Sequence, residues 1–214
     1  MTRDEAATLI RSKLSFRASS TNLNLAIVNA LQYTQRDLEM GKTLPPFLIT
    51  ESEALTGVAN SPTIALPTGF LRLVEDENIW WNGTATAGVR ELQRAEYKQL
   101  RAVWAGTTET SPRAYALRKN SIYIFPTPDV AHTYVWSYYK KADILDDGSD
   151  ENVWLLNAPD LMIAQAGLLV AADLQDDAAV AKFTALQMSA QKAFFYKIVD
   201  DELADYPLIM GGNN

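Results

Sequence analysis

Between Tyr115 and Tyr139 the chain alternates residues as a strand does, and that run constrains the fold more than any other feature of the sequence. Tyr115 and Leu117 precede Arg118-Lys-Asn-Ser121. Ile122 and Ile124 alternate with Tyr123 and Phe125, Pro126-Thr-Pro-Asp129 makes a turn, and Tyr134, Trp136 and Tyr138 alternate with Val135, Ser137 and Tyr139. The expected result is three antiparallel strands in a meander. Because neighbouring residues on a strand face opposite ways, aromatics fall on both sides of the last strand. One set must then be covered from outside the sheet, either by the terminal helices or by another subunit.

Around this run the texture divides the chain. Residues 1–45 predict two N-terminal helices. Thr2 and Glu5 form a capping box ahead of Ala6, Leu9, Ile10 and Leu14, with the helix running to about Phe16. Leu23, Ile27, Leu31, Thr34 and Leu38 then share one face of a second helix that ends at Gly41. Residues 46–142 are β-rich: Phe47–Ile49, Thr63–Leu66, Phe70–Val74 and Ile79–Trp81 are short apolar pieces punctuated by Pro62, Pro67, Gly69 and Gly83. Leu92, Tyr97, Leu100 and Trp104 predict a short helix near 90–104 within it.

Residues 143–205 predict two long C-terminal helices. One starts at Asn157-Ala-Pro-Asp160 and carries Leu161, Gln165, Leu168, Leu169 and Ala172; the other, from about Asp176, carries Val180, Phe183, Leu186, Ala190, Phe194 and Ile198 on one stripe. Residues 206–214 are expected to form an extended tail. With no repeat and no low-complexity linker, the expected architecture is a single α+β domain over 1–214, a helical body with antiparallel strands and hairpins between its two halves.

The residue inventory removes most reactive centres. The chain has no cysteine, so thiolate nucleophiles, disulfides, iron–sulfur clusters and cysteine-ligated zinc are excluded. Its one histidine, His132, would have to carry any triad or imidazole base alone. No G-x-S-x-G elbow accompanies it, and its place beside the Pro126–Asp129 turn, three residues after Asp129, reads as a solvated turn histidine. No G-x-G-x-x-G or G-x-x-x-x-G-K-[ST] loop is present to cradle a phosphate. The expected cofactor and metal content is none.

Charge is segregated. Residues 1–142 carry 16 Lys/Arg against 13 Asp/Glu, whereas residues 143–214 carry 3 against 13, a net −10 within a chain of net −7. An acidic segment repels phosphate backbones and gains nothing from counterion release, so this third is no nucleic-acid grip. Its acids fall in the clusters Asp146/Asp147/Asp150/Glu151, Asp176/Asp177 and Asp200/Asp201/Glu202/Asp205, which read as solvated loops and helix caps. The rival reading is a carboxylate-dependent glycoside or cell-wall hydrolase, whose chemistry needs neither Cys nor His.

Arg90, Arg94, Lys98 and Arg101 fall at helical spacing and could serve a nucleic-acid helix, but Glu91 and Glu96 dilute them. A helix docking on an acidic neighbour is the preferred account. The longest apolar stretch, Ile163–Ala172, is interrupted by Gln165 and is far short of the ~20 residues a membrane span needs, so no membrane is expected. Acids in Met1-Thr-Arg-Asp-Glu-Ala where a signal peptide carries a basic segment predict the true start of a chain made in the cytoplasm. The tail Tyr206-Pro-Leu-Ile-Met210 is apolar and runs into Gly211-Gly-Asn-Asn; it either folds back or docks in a partner's groove.

From Pro112 onward the chain resembles the head-to-tail adaptor (connector) proteins of tailed bacteriophages. The residues carrying the resemblance are Pro112 with Tyr115, Ser121-Ile-Tyr-Ile-Phe125, Pro126-Thr-Pro-Asp129, Tyr134, Tyr138-Tyr-Lys140 and Leu145, followed by Asn152-Val-Trp154 and Pro159-Asp-Leu-Met162. The match spans roughly residues 112–200 as a spaced pattern with no catalytic signature. It implies a non-enzymatic structural protein of the virion, made in the host cytoplasm. Its subunits would form an oligomeric ring, often dodecameric in the family, between the portal protein and a tail nozzle or tube protein, with DNA passing through the lumen without sequence-specific binding. It also implies that Tyr206, Pro207, Leu208, Ile209 and Met210 form a portal-docking arm.

Overall fold

The computed structural model of the chain describes residues 1–15, 21–52, 54–74, 78–82 and 89–204. In chain order its elements are α1 (Arg3–Lys13), α2 (Thr21–Glu39), a 3-10 turn at Pro46–Leu48, β1 (Ile49–Glu51), β2 (Leu55–Thr56), β3 (Thr63–Ala65), β4 (Phe70–Leu73), β5 (Ile79–Asn82) and β6 (Val89–Arg94). There follow α3 (Tyr97–Trp104), β7 (Thr108–Glu109), β8 (Ala114–Arg118), β9 (Ser121–Phe125), β10 (Thr127–Pro128), β11 (Thr133–Val135), β12 (Ser137–Lys140), α4 (Val153–Asn157), α5 (Pro159–Asp173) and α6 (Asp177–Ala204). The class is α+β. The chain forms two compact units, a helical one from Met1–Leu48 with Ala142–Asn214, and a β unit from Ile49–Lys141.

In the helical unit, the capping box is present as its spacing requires: Glu5 N–H donates to Thr2 Oγ1 at 3.2 Å and Thr2 N–H donates to Glu5 Oε2 at 2.9 Å. The unit's centre is α5, which starts at Pro159 and buries Leu161, Met162, Ile163, Ala164, Ala166, Gly167, Val170 and Ala171. A helix apolar on nearly every side has to be surrounded, and α1, α2, α4 and α6 pack on it. At Gly167 the Phe183 ring of α6 occupies the space a Cβ would need. Farther along α6, Phe194 lies 6.0 Å from the Trp154 ring and 6.4 Å from Phe47, which itself meets Trp154 edge-on at 5.2 Å.

Polar groups also enter this core. Gln35, Glu39 and Asn152 are buried, although their residue types favour solvent. The Gln35 side-chain amide donates to Glu39 Oε1 at 3.1 Å and to the carbonyls of Ala142 and Asp143 at 3.0 and 3.3 Å. The Ala142 N–H donates to the same Glu39 oxygen at 3.0 Å. Asn152 donates to Gln35 Oε1 at 3.0 Å, and its own side-chain oxygen accepts from Leu155 N–H, capping α4.

In the β unit, seven strands form one sheet in the order β2-β11-β5-β6-β8-β9-β3, three form a second in the order β1-β12-β4, and β7 and β10 make a short parallel pair. The two larger sheets share one core: Leu73 and Tyr138 from the smaller join Ile64, Ile79, Trp81, Leu92, Tyr115, Ile122, Ile124 and Tyr134 from the larger. The chain crosses between sheets at Trp136, which separates β11 from β12, and again at Ser52, which follows β1 and precedes β2. These two crossing points bond each other, Ser52 N–H to Trp136 C=O at 2.8 Å and Trp136 N–H to Ser52 Oγ at 3.0 Å. Tyr134, Trp136 and Tyr138 are buried as their alternation requires, and residues of the β unit itself cover them, so neither the terminal helices nor another subunit is needed for that face.

Two expectations need correction. The meander is not formed: β8 and β9 make the hairpin, pairing Leu117 with Ile122, but the other neighbour of β9 is β3, while β11 inserts between β2 and β5. Pro126 and Pro128 have no N–H to offer a returning ladder, and the chain between them bonds sideways to β7, with Thr127 N–H on Thr107 C=O at 3.1 Å. The helix near 90–104 is confined to Tyr97–Trp104, and Arg90–Arg94 belong to β6. Because β6 pairs in parallel with β8, the link between them must cross over, and α3 does so with Leu100, Tyr97 and Trp104 packed on Ala114, Ala116 and Phe125.

Replacing Phe183, which is wholly buried against Gly167, by alanine is expected to cost about 3–5 kcal/mol, and Gly167→Val is expected to destabilise by collision with the same ring. Gln35→Ala strands the groups it bonds and is expected to cost about 2 kcal/mol. Thermal and denaturant unfolding check all three.

Candidate functional site

The acidic clusters were the first candidates for chemistry, and local structure occupies them. In the Asp146–Glu151 loop, Asp147 Oδ1 accepts from the Ser149 N–H and hydroxyl, each at 3.0 Å, and Asp150 Oδ2 accepts from Asp147 N–H at 2.6 Å. The hydrogen bond from the Ser149 backbone holds the Asp147 carboxyl below the usual carboxylate range. The loop also grips the start of α1: Arg3 N–H donates to Asp150 C=O at 2.9 Å, the Arg3 guanidinium bonds the Asp146 carbonyl, and the Met1 ammonium lies 3.2 Å from Glu151.

Asp176 links two more elements. Its carboxylate accepts from the Ser15 N–H at 2.7 Å and hydroxyl at 2.9 Å beyond α1, and from Ala179 N–H at 3.0 Å in the first turn of α6. The Ser15 backbone bond is the largest of the causes that push its pKa down. Asp200, Asp201 and Glu202 lie in the last turn of α6, which has no basic residue; Asp205 is outside the described residues.

A glycosidase needs two carboxylates roughly 5–10 Å apart across a cleft. The groove on α3 has Glu96 as its one acid, and two grooves beside α5 and α6 each have Asp160 alone. Among the described residues no group of three His, Asp or Glu side chains gathers to hold a metal.

His132 is not the solvated turn residue that its neighbours suggested. It is 3% exposed, its Nε2 lies 2.6 Å from Thr110 C=O, and its ring meets Trp81 edge-on at 4.5 Å. Asp129, the nearest acid in sequence, accepts instead from Thr110 Oγ1 at 3.0 Å. The histidine therefore belongs to the core of the β unit. Nearby, Tyr134 is buried deeply enough that desolvation drives its phenol far above the ordinary tyrosine range.

The surfaces offer more than the interior. The basic series is split, Arg90 and Arg94 on β6 and Lys98 and Arg101 on α3, so it is not one helical face. Lys98 and Arg101 instead share a groove of about 720 Å³ with Glu96, Tyr97, Ala102, Ala105 and Arg118. The Arg118 guanidinium sits 4.5 Å over the Tyr97 ring, which is held on its other contacts by Tyr123 at 4.9 Å and Phe125 at 6.0 Å.

A second surface lies on α6, whose outer side exposes Met188, Phe195, Tyr196 and Val199, with Lys192 Nζ 5.8 Å over the Tyr196 ring. Leu186, expected on the inner stripe, is 39% exposed. Tyr206, Pro207, Leu208, Ile209 and Met210 lie outside the described residues. Among the described residues no helix is long and apolar enough to cross a membrane.

With Asp147, Asp150, Asp176 and His132 held in local structure, two exposed surfaces of different chemistry remain, the α3 groove and the outer side of α6. Residues 1–208 match the family described as SU10 adaptor protein, and the chain belongs to that family of phage head-to-tail adaptors. The match extends the resemblance seen from Pro112 onward back to the N-terminus. No curated protein matches the chain.

Asp176→Ala is expected to lower the midpoint of thermal unfolding at about pH 7 and to lose that effect as the solution is acidified. The folded carboxyl has the lower pKa, so its contribution is complete above the ordinary carboxylate range and fades as pH falls through the folded value. Paired melts of wild type and variant at about pH 7 and about pH 3 check this.

Proposed function

We propose that the chain is a structural virion protein that forms a ring, dodecameric as in many such adaptors, between the portal protein and a tail nozzle or tube protein. DNA passes through the lumen without sequence-specific binding, and Tyr206–Met210 act as the portal-docking arm. The chain is made in the host cytoplasm and ends in the virion. The observation that carries this reading is the adaptor-family match over residues 1–208. Charge supports it. The helical unit carries 9 Lys/Arg against 17 Asp/Glu and the β unit 10 against 9. A ring built from heterologous contacts needs two unlike, complementary surfaces on each subunit, and such a partition supplies them. Acids facing a lumen would also keep a phosphate backbone from sticking.

The hydrolase reading draws no support from the three grooves described above, each of which carries a single carboxylate among the described residues. Size-exclusion chromatography with light scattering is expected to show the full chain co-eluting with its cognate portal as a high-order assembly. Removal of residues 206–214 is expected to abolish co-elution while leaving the melting profile unchanged. Absence of co-elution at every ratio overturns the portal-ring reading.

A further inference from the structure

We propose that the groove on α3 receives the distal end of α6 from a second copy of this chain. The inference rests on the ring reading above and names one of its contacts. The groove has an apolar floor from Tyr97, Ala102 and Ala105 and three cations, Lys98, Arg101 and Arg118, against one acid, Glu96. Among the described residues neither Lys98 nor Arg101 has an ion-pair partner.

The end of α6 is the complementary object. Phe195, Tyr196 and Val199 are exposed, and the next residues are Asp200, Asp201 and Glu202. Asp200, Asp201 and Glu202 are three consecutive acids, and a cationic partner offsets their mutual repulsion.

An aromatic side and then a run of carboxylates fits an apolar floor with a basic rim better than a phosphate backbone does, since the latter rewards cations alone. Groove and helix end differ in chemistry, so the contact is head-to-tail and repeats from copy to copy, closing into a ring where the rotation permits.

The natural chain lacks cysteine, which allows single thiols to report the contact. Full-length Arg101→Cys and Glu202→Cys proteins, mixed under a mild oxidant, are expected to form a disulfide-linked heterodimer about tenfold faster than Arg101→Cys with Lys182→Cys. Adding Lys98→Glu to the first protein, or raising salt to about 1 M, is expected to remove that excess. A rate equal to the control overturns the proposal. So does a chain carrying both Arg101→Cys and Glu202→Cys that bridges only within itself.

Loss of duplex-DNA binding by Lys98→Glu, with crosslinking at the control rate, assigns the groove to nucleic acid and also overturns it. The two readings separate in light scattering with portal. Rings formed equally well by a Lys98→Glu/Arg101→Glu protein keep the ring and reject this contact, whereas monomers throughout reject both.

Discussion

The side-chain amide of Gln35 holds together two stretches of chain that the sequence keeps far apart. The helical unit is left at Leu48 and re-entered at Ala142, so its core is assembled from segments separated by the whole β unit. Closing so long a loop costs entropy that grows only slowly with length, yet it is a cost that local helix formation does nothing to offset. It is met where the returning chain arrives. Gln35 and Glu39 on α2 bind the backbone of Ala142 and Asp143, and Asn152 completes the network while capping α4. Apolar packing is indifferent to direction, whereas buried amide and carboxylate groups accept only particular partners. The network therefore sets the point from which Trp154, α5 and α6 are laid down.

How much of this was legible depended on whether the deciding contact was local. The Thr2–Glu5 box, the β8–β9 hairpin and the inner stripe of α6 at Phe183 and Ile198 are written in short spacings, and each is found. The burial of Gln35 and Glu39 is not local. It had one signal, that both continue the face of Leu31 at helical intervals, and residue type argued against it. His132 failed for the same reason: a turn-rich neighbourhood indicates water, and only the arrival of Trp81 from β5 and Thr110 from the end of β7 excludes it. Arg90–Arg94 has a single apolar residue, Leu92, and one apolar position cannot distinguish a strand from a helix. The α3 groove was beyond reading, because Arg118 joins it from a different strand.

The residues most suggestive of chemistry turn out to be architectural. Asp147, Asp150 and Glu151 build a loop that clasps the first helix, and Asp176 ties α1 to α6. What remains outward is the basic groove with its tyrosine floor and the aromatic flank of α6. Tyrosine and arginine, residue types that dominate binding energy at protein interfaces, are among the groups these surfaces present.

The β unit begins and ends on adjacent strands. Ile49 in β1 is paired directly with Tyr139 in β12, so the entry and exit of everything between them are neighbours across one antiparallel ladder, about 5 Å apart. A segment with touching ends is an interchangeable module: it can be lengthened, exchanged or deleted without asking its host to span a new distance. Changes of length or sequence within the β unit therefore need not alter the gap between Leu48 and Ala142 that the helical unit has to bridge.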